Sequence, residues 1–553
     1  MTRTGGASKG SKAASCAFMG RLDLLTTAIY PHELAQEDER DSPPPFSLTS
    51  FSAVLSALAG IVNLSGHVFR PLVVVCLSAL LVLGIARNYC IAAGLALLVH
   101  RMFFDGRFEE LKRLSHLRPG LHCGRTARTD AIISMVPALQ HPHYKGTPWI
   151  IGGDLATLYP FLAFRSLAFH VPVVKYARRW LSVDADDTRI NGTKAEKVGG
   201  GNGSNGGIGV NHDSSDSLDG FTTCGGTPSA TGAVPSAANG HGTGGDGKGL
   251  DDGDDKEAVA LDIALPDTGL DPSKPFYLVL HGLTGGSAEP YVLDFVTHAL
   301  GRGCGLCVMI SRGCMGTPVR GDNFFHGARI SDVRSTVKAL RRSLPEHAPL
   351  VMVGYSMGGI IATNYAALTG ENSGVSCCVS MSGSFDTRTN IESRHSKQVW
   401  QPLLAMALKE HFVLSNTREI VKRGLNVSAI EACKNVLDID THLVAPYNGY
   451  PDVMAYYADM SAAADGKIAG LRTPTLAVTS LDDPIMTAEG SPIAEVDTIK
   501  NLFILLTRCV LFCFLDGWRN VLCWRLRGIS KLAAIRGDTE RETTAMHTGR
   551  ELQ

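Results

Sequence analysis

The stretch "VGYSMGG", residues 353–359, follows the apolar run at 350–352 and precedes "IIATNYAAL", residues 360–368. A Gly-x-Ser-x-Gly pentapeptide between a strand and a helix has a mechanical rationale. The serine adopts a strained turn that lifts its hydroxyl above the sheet, and the flanking glycines leave room for neighbouring backbone. Here Gly354 and Gly358 flank Ser356. The pentapeptide alone says little, but in this strand-to-helix setting it marks Ser356 as a nucleophile.

Working outward from the turn, short apolar runs alternate with helix-period segments. "FYLVLH" (276–281), "CGLCVMIS" (304–311), "PLVMVG" (349–354), "VSCCVSMS" (375–382), "TPTLAVTS" (473–480) and "NLFILLT" (501–507) read as buried strands. Between several of them lie periodic segments such as "YVLDFVTHALGR" (291–302) and "ISDVRSTVKALRRSL" (330–344). Alternation of this kind, with near-continuous apolar strands, predicts an α/β fold whose parallel sheet is covered on both faces.

An acyl-transfer site also needs two backbone donors for the oxyanion, one after the serine and one from a loop after an earlier strand. Met357 supplies the first. "VLHGLTGGS" (279–287) supplies the second, because a His-Gly turn after a strand exposes the N–H of Leu283. His281 is read as ordering this loop without chemical work. The acid follows on "AVTSLDDPIMT" (477–487), where the order Ser, Asp, His places it; Asp483 is the first choice and Asp482 the alternative.

Composition bounds the remainder. At 553 residues, the chain is long enough for several domains or for one domain with appended segments. Its 52 basic and 53 acidic side chains nearly cancel, which removes the electrostatic case for a nucleic-acid partner. The 14 cysteines lack a repeated spacing and several sit in apolar runs, against a disulfide framework. The pair Cys304 and Cys307 has redox-motif spacing but no second pair to complete a zinc site, so it is read as structural.

Residues 1–46 are polar and mixed and are read as a disordered tail; 47–104 form a membrane-anchor region. Within the latter, 71–99 is apolar except for Arg87 and Asn88 and is long enough for one tilted helical pass. Arg70 stands alone upstream, against Arg101, Arg107, Lys112, Arg113 and Arg118 downstream, which places the C-terminal part in the cytosol for a single span. Asn-x-Ser/Thr sites at Asn191, Asn202 and Asn426 matter only for the opposite orientation. Residues 105–190 and 256–507 then constitute the folded domain, with a lid at about 385–450. They are interrupted at 191–255 by a Gly-, Ser- and Asp-rich insert too poor in large apolar residues to order itself.

"TPWIIGGDLATLYPFL", "HGLTGGSAEPYV", "ISRGCMGTP", "NFFHGARISDVR", "GYSMGG" and "DTHLVAPYNGYPDVMAYYADMS" together resemble the membrane-anchored α/β-hydrolases of the AB hydrolase 4 family. That family includes the animal α/β-hydrolase-domain lipases and the yeast medium-chain ethyl ester synthase/esterases. The resemblance covers 137–190 and 256–507. It implies an α/β-hydrolase fold with an N-terminal transmembrane segment, and ester or lipid hydrolysis by a serine, with no metal or organic cofactor. The partners it implies are an acyl-ester or lipid substrate and a membrane, here taken to be the endoplasmic reticulum with the catalytic domain in the cytosol.

In such proteins a strand like "NLFILLT" is followed by Gly-Gly-His, whose histidine is the general base. This chain continues "RCVLFCFLDGWRNVLCW" (508–524), an atypical C-terminal tail running to 553, with no histidine where one belongs near Phe512. An unassisted serine hydroxyl is a weak nucleophile, and losing the histidine of a comparable triad costs on the order of 10⁶ in turnover. His547 is the candidate substitute base; His326 lies near the expected pocket, but its family counterpart is not the base. The His100-x4-Asp105 spacing is expected by chance in a chain with 18 histidines. A catalytically silent hydrolase fold that binds lipid or a partner is therefore the rival expectation.

Overall fold

In the computed structural model the described residues are 14–15, 17–19, 21–22, 111–140, 153–154, 156–157, 174–183, 257–319, 323–391 and 393–507. The expected anchor at 71–99, the insert at 191–255 and the tail at 508–553 lie outside them. Among the described residues no helix is long and apolar enough to cross a membrane.

All six apolar runs form strands. In chain order the strands are β1 (Gly120–His122), β2 (Ala177–Ser182), β3 (Ala258–Ala264), β4 (Phe276–Leu280) and β5 (Leu306–Ile310). They continue with β6 (Leu350–Tyr355), β7 (Cys377–Met381), β8 (Thr475–Ser480) and β9 (Leu502–Thr507). Every residue of β3 to β9 is buried, as an interior sheet covered on both faces requires. The order across the sheet is β1-β9-β8-β7-β6-β4-β5-β3-β2. The pairs from β5 through β4, β6, β7 and β8 to β9 are parallel, whereas β2, β3 and β1 join antiparallel.

The strands that sequence patterning leaves unmarked are the antiparallel ones. β2, "ARRWLS", is an edge strand only partly buried, so arginines are tolerated on it, and β1 is three residues long. β1 pairs Leu121 with Leu505 and covers the side of β9 that would otherwise be an edge.

The helices are α1 (Ala127–Met135), α2 (Pro290–Gly301), α3 (Ser331–Ser343), α4 (Met357–Thr369), α5 (Gln401–Leu408) and α6 (Val453–Met460), with shorter turns between. Proline opens α2, where its missing N–H costs nothing. Asp332 lies in the first turn of α3, and Arg341 and Arg342 in the last, matching the helix dipole. α4 is buried along nearly its whole length against β6 and β7.

The reading of 1–46 as a disordered tail needs correction at one place. Phe18 and Leu22 are fully buried, Phe18 packs its ring 5.1 Å from that of Phe276, and Arg21 Nε donates to Ser343 O at 2.9 Å. Two large apolar residues spaced by four share one helix face, and this short face outweighs the polar average of its surroundings.

Candidate active site

Parallel strands present their C-terminal ends along one edge, so the loops after β4, β5, β6 and β8 gather there. Ser356 follows β6 with φ 50° and ψ −115°, a conformation strained for any residue bearing a Cβ. The glycines permit it. A Cβ on Gly354 would lie 2.1 Å from Gly358 O, and one on Gly358 would lie 2.2 Å from Leu280 O. The backbone of Ser356 is tied down by its N–H donating to Met381 O at 2.8 Å, while the side chain is half-buried.

The loop after β4 is pinned from three directions. His281 is buried; its Nδ1 lies 2.7 Å from Gly282 O, and its Nε2 accepts from the N–H of Ser311 at 3.0 Å. With both ring nitrogens engaged, and burial pushing its pKa down to about 4, this histidine is a neutral brace between two loops. The Tyr291 hydroxyl accepts from Gly282 N–H at 2.9 Å. At the far end of the loop, Ser287 Oγ donates to Asp262 Oδ2 at 2.5 Å, and Asp262 is gripped by Arg178 through two hydrogen bonds of 2.7 and 2.9 Å. Between these anchors sits Leu283. Among the described residues no hydrogen bond engages the N–H of Leu283 or of Met357.

Asp483 is buried on the loop after β8. Its Oδ1 accepts from the N–H groups of Ile485 and Met486, both at 2.9 Å, an Asx turn that bends the two apolar residues inward. The alternative acid, Asp482, on the same loop, accepts from the Oγ of Ser480 at the end of β8. His547 and the region near Phe512 lie outside the described residues.

Leu283, Met357, Ile485 and Met486 line one cavity of about 180 Å³, so three of the predicted loops converge on it. The remainder of its wall comes from the helical segments between β7 and β8, including Ile391, Leu404, Val436, Val444 and Met460, and is mostly apolar. An acyl chain suits such a wall. Among the described residues no cluster of three or more His, Cys, Asp or Glu side chains could hold a metal ion.

Three arrangements near this edge escaped sequence reasoning. Arg312, buried in "ISRGCMGTP", reaches Asp332 through Nε at 2.9 Å and Nη2 at 2.5 Å, and Glu257 through Nη1 at 2.5 Å. This accounts for the arginine and the acid in two of the family-like motifs. Asp154 accepts from Trp400 Nε1 at 2.7 Å and lies 2.6 Å from His395 Nε2, all three buried. Asp440, on the cavity wall, accepts from the hydroxyl of Tyr457 at 2.7 Å. Its signal was present in the sequence: it falls three to four residues from the wall residues Val436, Leu437 and Val444, an acid on an apolar helical face.

The strand order and the turn at Ser356 are those of an α/β-hydrolase fold, and residues 277–412 match the family described as alpha/beta hydrolase fold. The chain is 29% identical to a monoacylglycerol lipase of Saccharomyces cerevisiae, over 43% of this chain and 53% of the relative. It is 25% identical to human phospholipase ABHD3 (42% and 57%), and 26% identical to the yeast medium-chain fatty acid ethyl ester synthase/esterase 2 (46% and 61%). The AB hydrolase 4 grouping is compatible with these relatives. The chain spans a little over half the length of the curated relatives it matches.

Proposed function

We propose that this chain is a serine hydrolase that cleaves carboxylic esters of lipids or of short- and medium-chain acyl groups. Ser356 attacks the acyl carbon, the N–H groups of Leu283 and Met357 hold the oxyanion, and the alcohol leaves from an acyl-enzyme that water then hydrolyses. Asp483 orients the base, for which His547 is the candidate. The single observation that carries the reading is the strained Ser356 turn together with Leu283 and Met357 on the wall of one apolar cavity. The relatives named as lipases and esterases support the ester chemistry. The hydropathy of 71–99 supports a membrane tether, and the flanking basic residues support a cytosolic catalytic domain.

Reaction with a fluorophosphonate ester tests the proposal. An adduct on Ser356 that vanishes in Ser356→Ala is the expected result, and absence of labelling in folded protein sinks it. One observation favours a second reading, a hydrolase fold that binds lipid without turning it over: the sequence holds no histidine between His442 and His547.

A further inference from the structure

A carboxyl group in an apolar cavity is costly unless something repays its desolvation. Asp440 is 7% exposed and lines the cavity that Leu283 and Met357 also line. Its Oδ2 is engaged by the Tyr457 hydroxyl. Its Oδ1 takes part in no hydrogen bond among the described residues. The neighbouring polar groups are differently placed. Asn390 accepts from Thr487 N–H and hydroxyl, Gln401 Oε1 accepts from Val436 N–H, and Asn435 Nδ2 donates to Asp438. These three hold the wall together; Lys397 and Thr387, whose Oγ1 has no hydrogen-bond partner among the described residues, also line the cavity, and Asp440 is the carboxyl acceptor among its lining groups. Burial also raises its carboxyl to about 7, against the lowering pull of Tyr457, so near neutrality it suits a neutral partner better than a cation.

We infer that Asp440, held by Tyr457, is a specificity-determining residue that accepts a hydrogen bond from a free hydroxyl on the bound molecule, selecting hydroxyl-bearing esters over purely alkyl ones. This deepens the hydrolase reading and rests on it for the word ester, but the binding step stands apart from turnover. A site built to pair with a hydroxyl discriminates against an analogue lacking it, because the acceptor is then left buried and unmatched.

Displacement of a fluorescent alkyl probe by two non-hydrolysable ligands, octyl glyceryl ether and octyl propyl ether, tests the inference. The expected result is displacement by the glyceryl ether at a concentration lower by about tenfold or more. Asp440→Leu equalises the two ligands, and Asp440→Asn, which keeps a polar partner, retains the preference. Equal potency on the unmodified protein, or a preference that survives Asp440→Leu, overturns the inference. Should Asp440→Leu fail to fold by circular dichroism, Tyr457→Phe decides: releasing the carboxyl reduces the preference, and an unchanged preference counts against the inference. Fluorophosphonate labelling separates the two proposals. Hydroxyl preference without labelling of Ser356 sinks the hydrolase and keeps the subsite, and labelling without preference does the reverse.

Discussion

Gly358 stands so close to Leu280 that a methyl group on it would sit 2.2 Å from the Leu280 carbonyl oxygen and 2.6 Å from that of His281. Both obstacles are backbone, so neither can swing aside. Gly358→Ala is expected to lose about 1–3 kcal/mol of stability, or to shift the turn. Either way the reactivity of Ser356 toward a fluorophosphonate falls, and paired unfolding and labelling measurements check this. Alanine tolerated on both counts contradicts the geometry.

Ser356 itself holds a positive φ of 50° that a residue without a Cβ adopts freely. Ser356→Gly is therefore expected to abolish labelling and yet raise stability by about 1 kcal/mol, because relief of strain outweighs the added freedom of the unfolded chain. A rise in unfolding midpoint over Ser356→Ala is the measurement, and a fall argues against strain at the turn.

Arg312 is the sole link between the buried carboxylates of Glu257 and Asp332 in the bonds described above. Arg312→Leu strands two acids in the interior and is expected to cost about 3–5 kcal/mol in denaturant unfolding. Replacing Glu257 and Asp332 by leucine in the same background should recover part of that loss, since neither carboxylate is then stranded; recovery is incomplete because the buried Arg329 loses the same two acids. Failure of the triple variant to recover any stability would show that the network is needed for more than charge balance.

Buried groups pull the pH dependence in opposite directions. His281 is depressed from 6.5 to about 4, so the unfolded chain binds the extra proton first; its contribution to stability is present above about 6.5 and is lost as the pH falls toward 4. His326, also depressed by burial, acts in the same sense. Asp440 is raised from 3.8 to about 7, so its contribution is present below about 4 and is lost as the pH rises through 7. Asp440→Asn should accordingly steepen the gain in unfolding midpoint between pH 4 and 7, a trend that thermal melts at stepped pH read directly. An unchanged profile means that Asp440 titrates as an ordinary carboxylate.

The interior of this fold was legible where one physical demand acted alone. Strands β4 to β9 are buried on both faces and so appear as apolar runs, and the glycines around Ser356 mark a turn that admits little else. The antiparallel flank was harder. β2 carries Arg178 and Arg179 on a partly exposed edge, and Arg178 is there to grip Asp262, a partner 84 positions along the chain. Pairings such as Arg312 with Asp332, or Asp154 with His395, depend on which loops meet, and local periodicity holds no record of that. The helix face of Phe18 and Leu22 was missed for the opposite reason: two residues are too few to alter the composition of a polar stretch.

The short strand β1 gives Leu505 a neighbour, Leu121, from 384 positions earlier in the chain. During synthesis the partner of β1 leaves the ribosome only after almost everything else has emerged. Until then Gly120–His122 lacks its strand partner among the described residues, and closure of this side of the sheet waits on a long-range encounter, the slow class of step in folding. Truncating the protein before β9 would thus undo two distant stretches of sequence at once, exposing the flank of β8 and releasing β1 together.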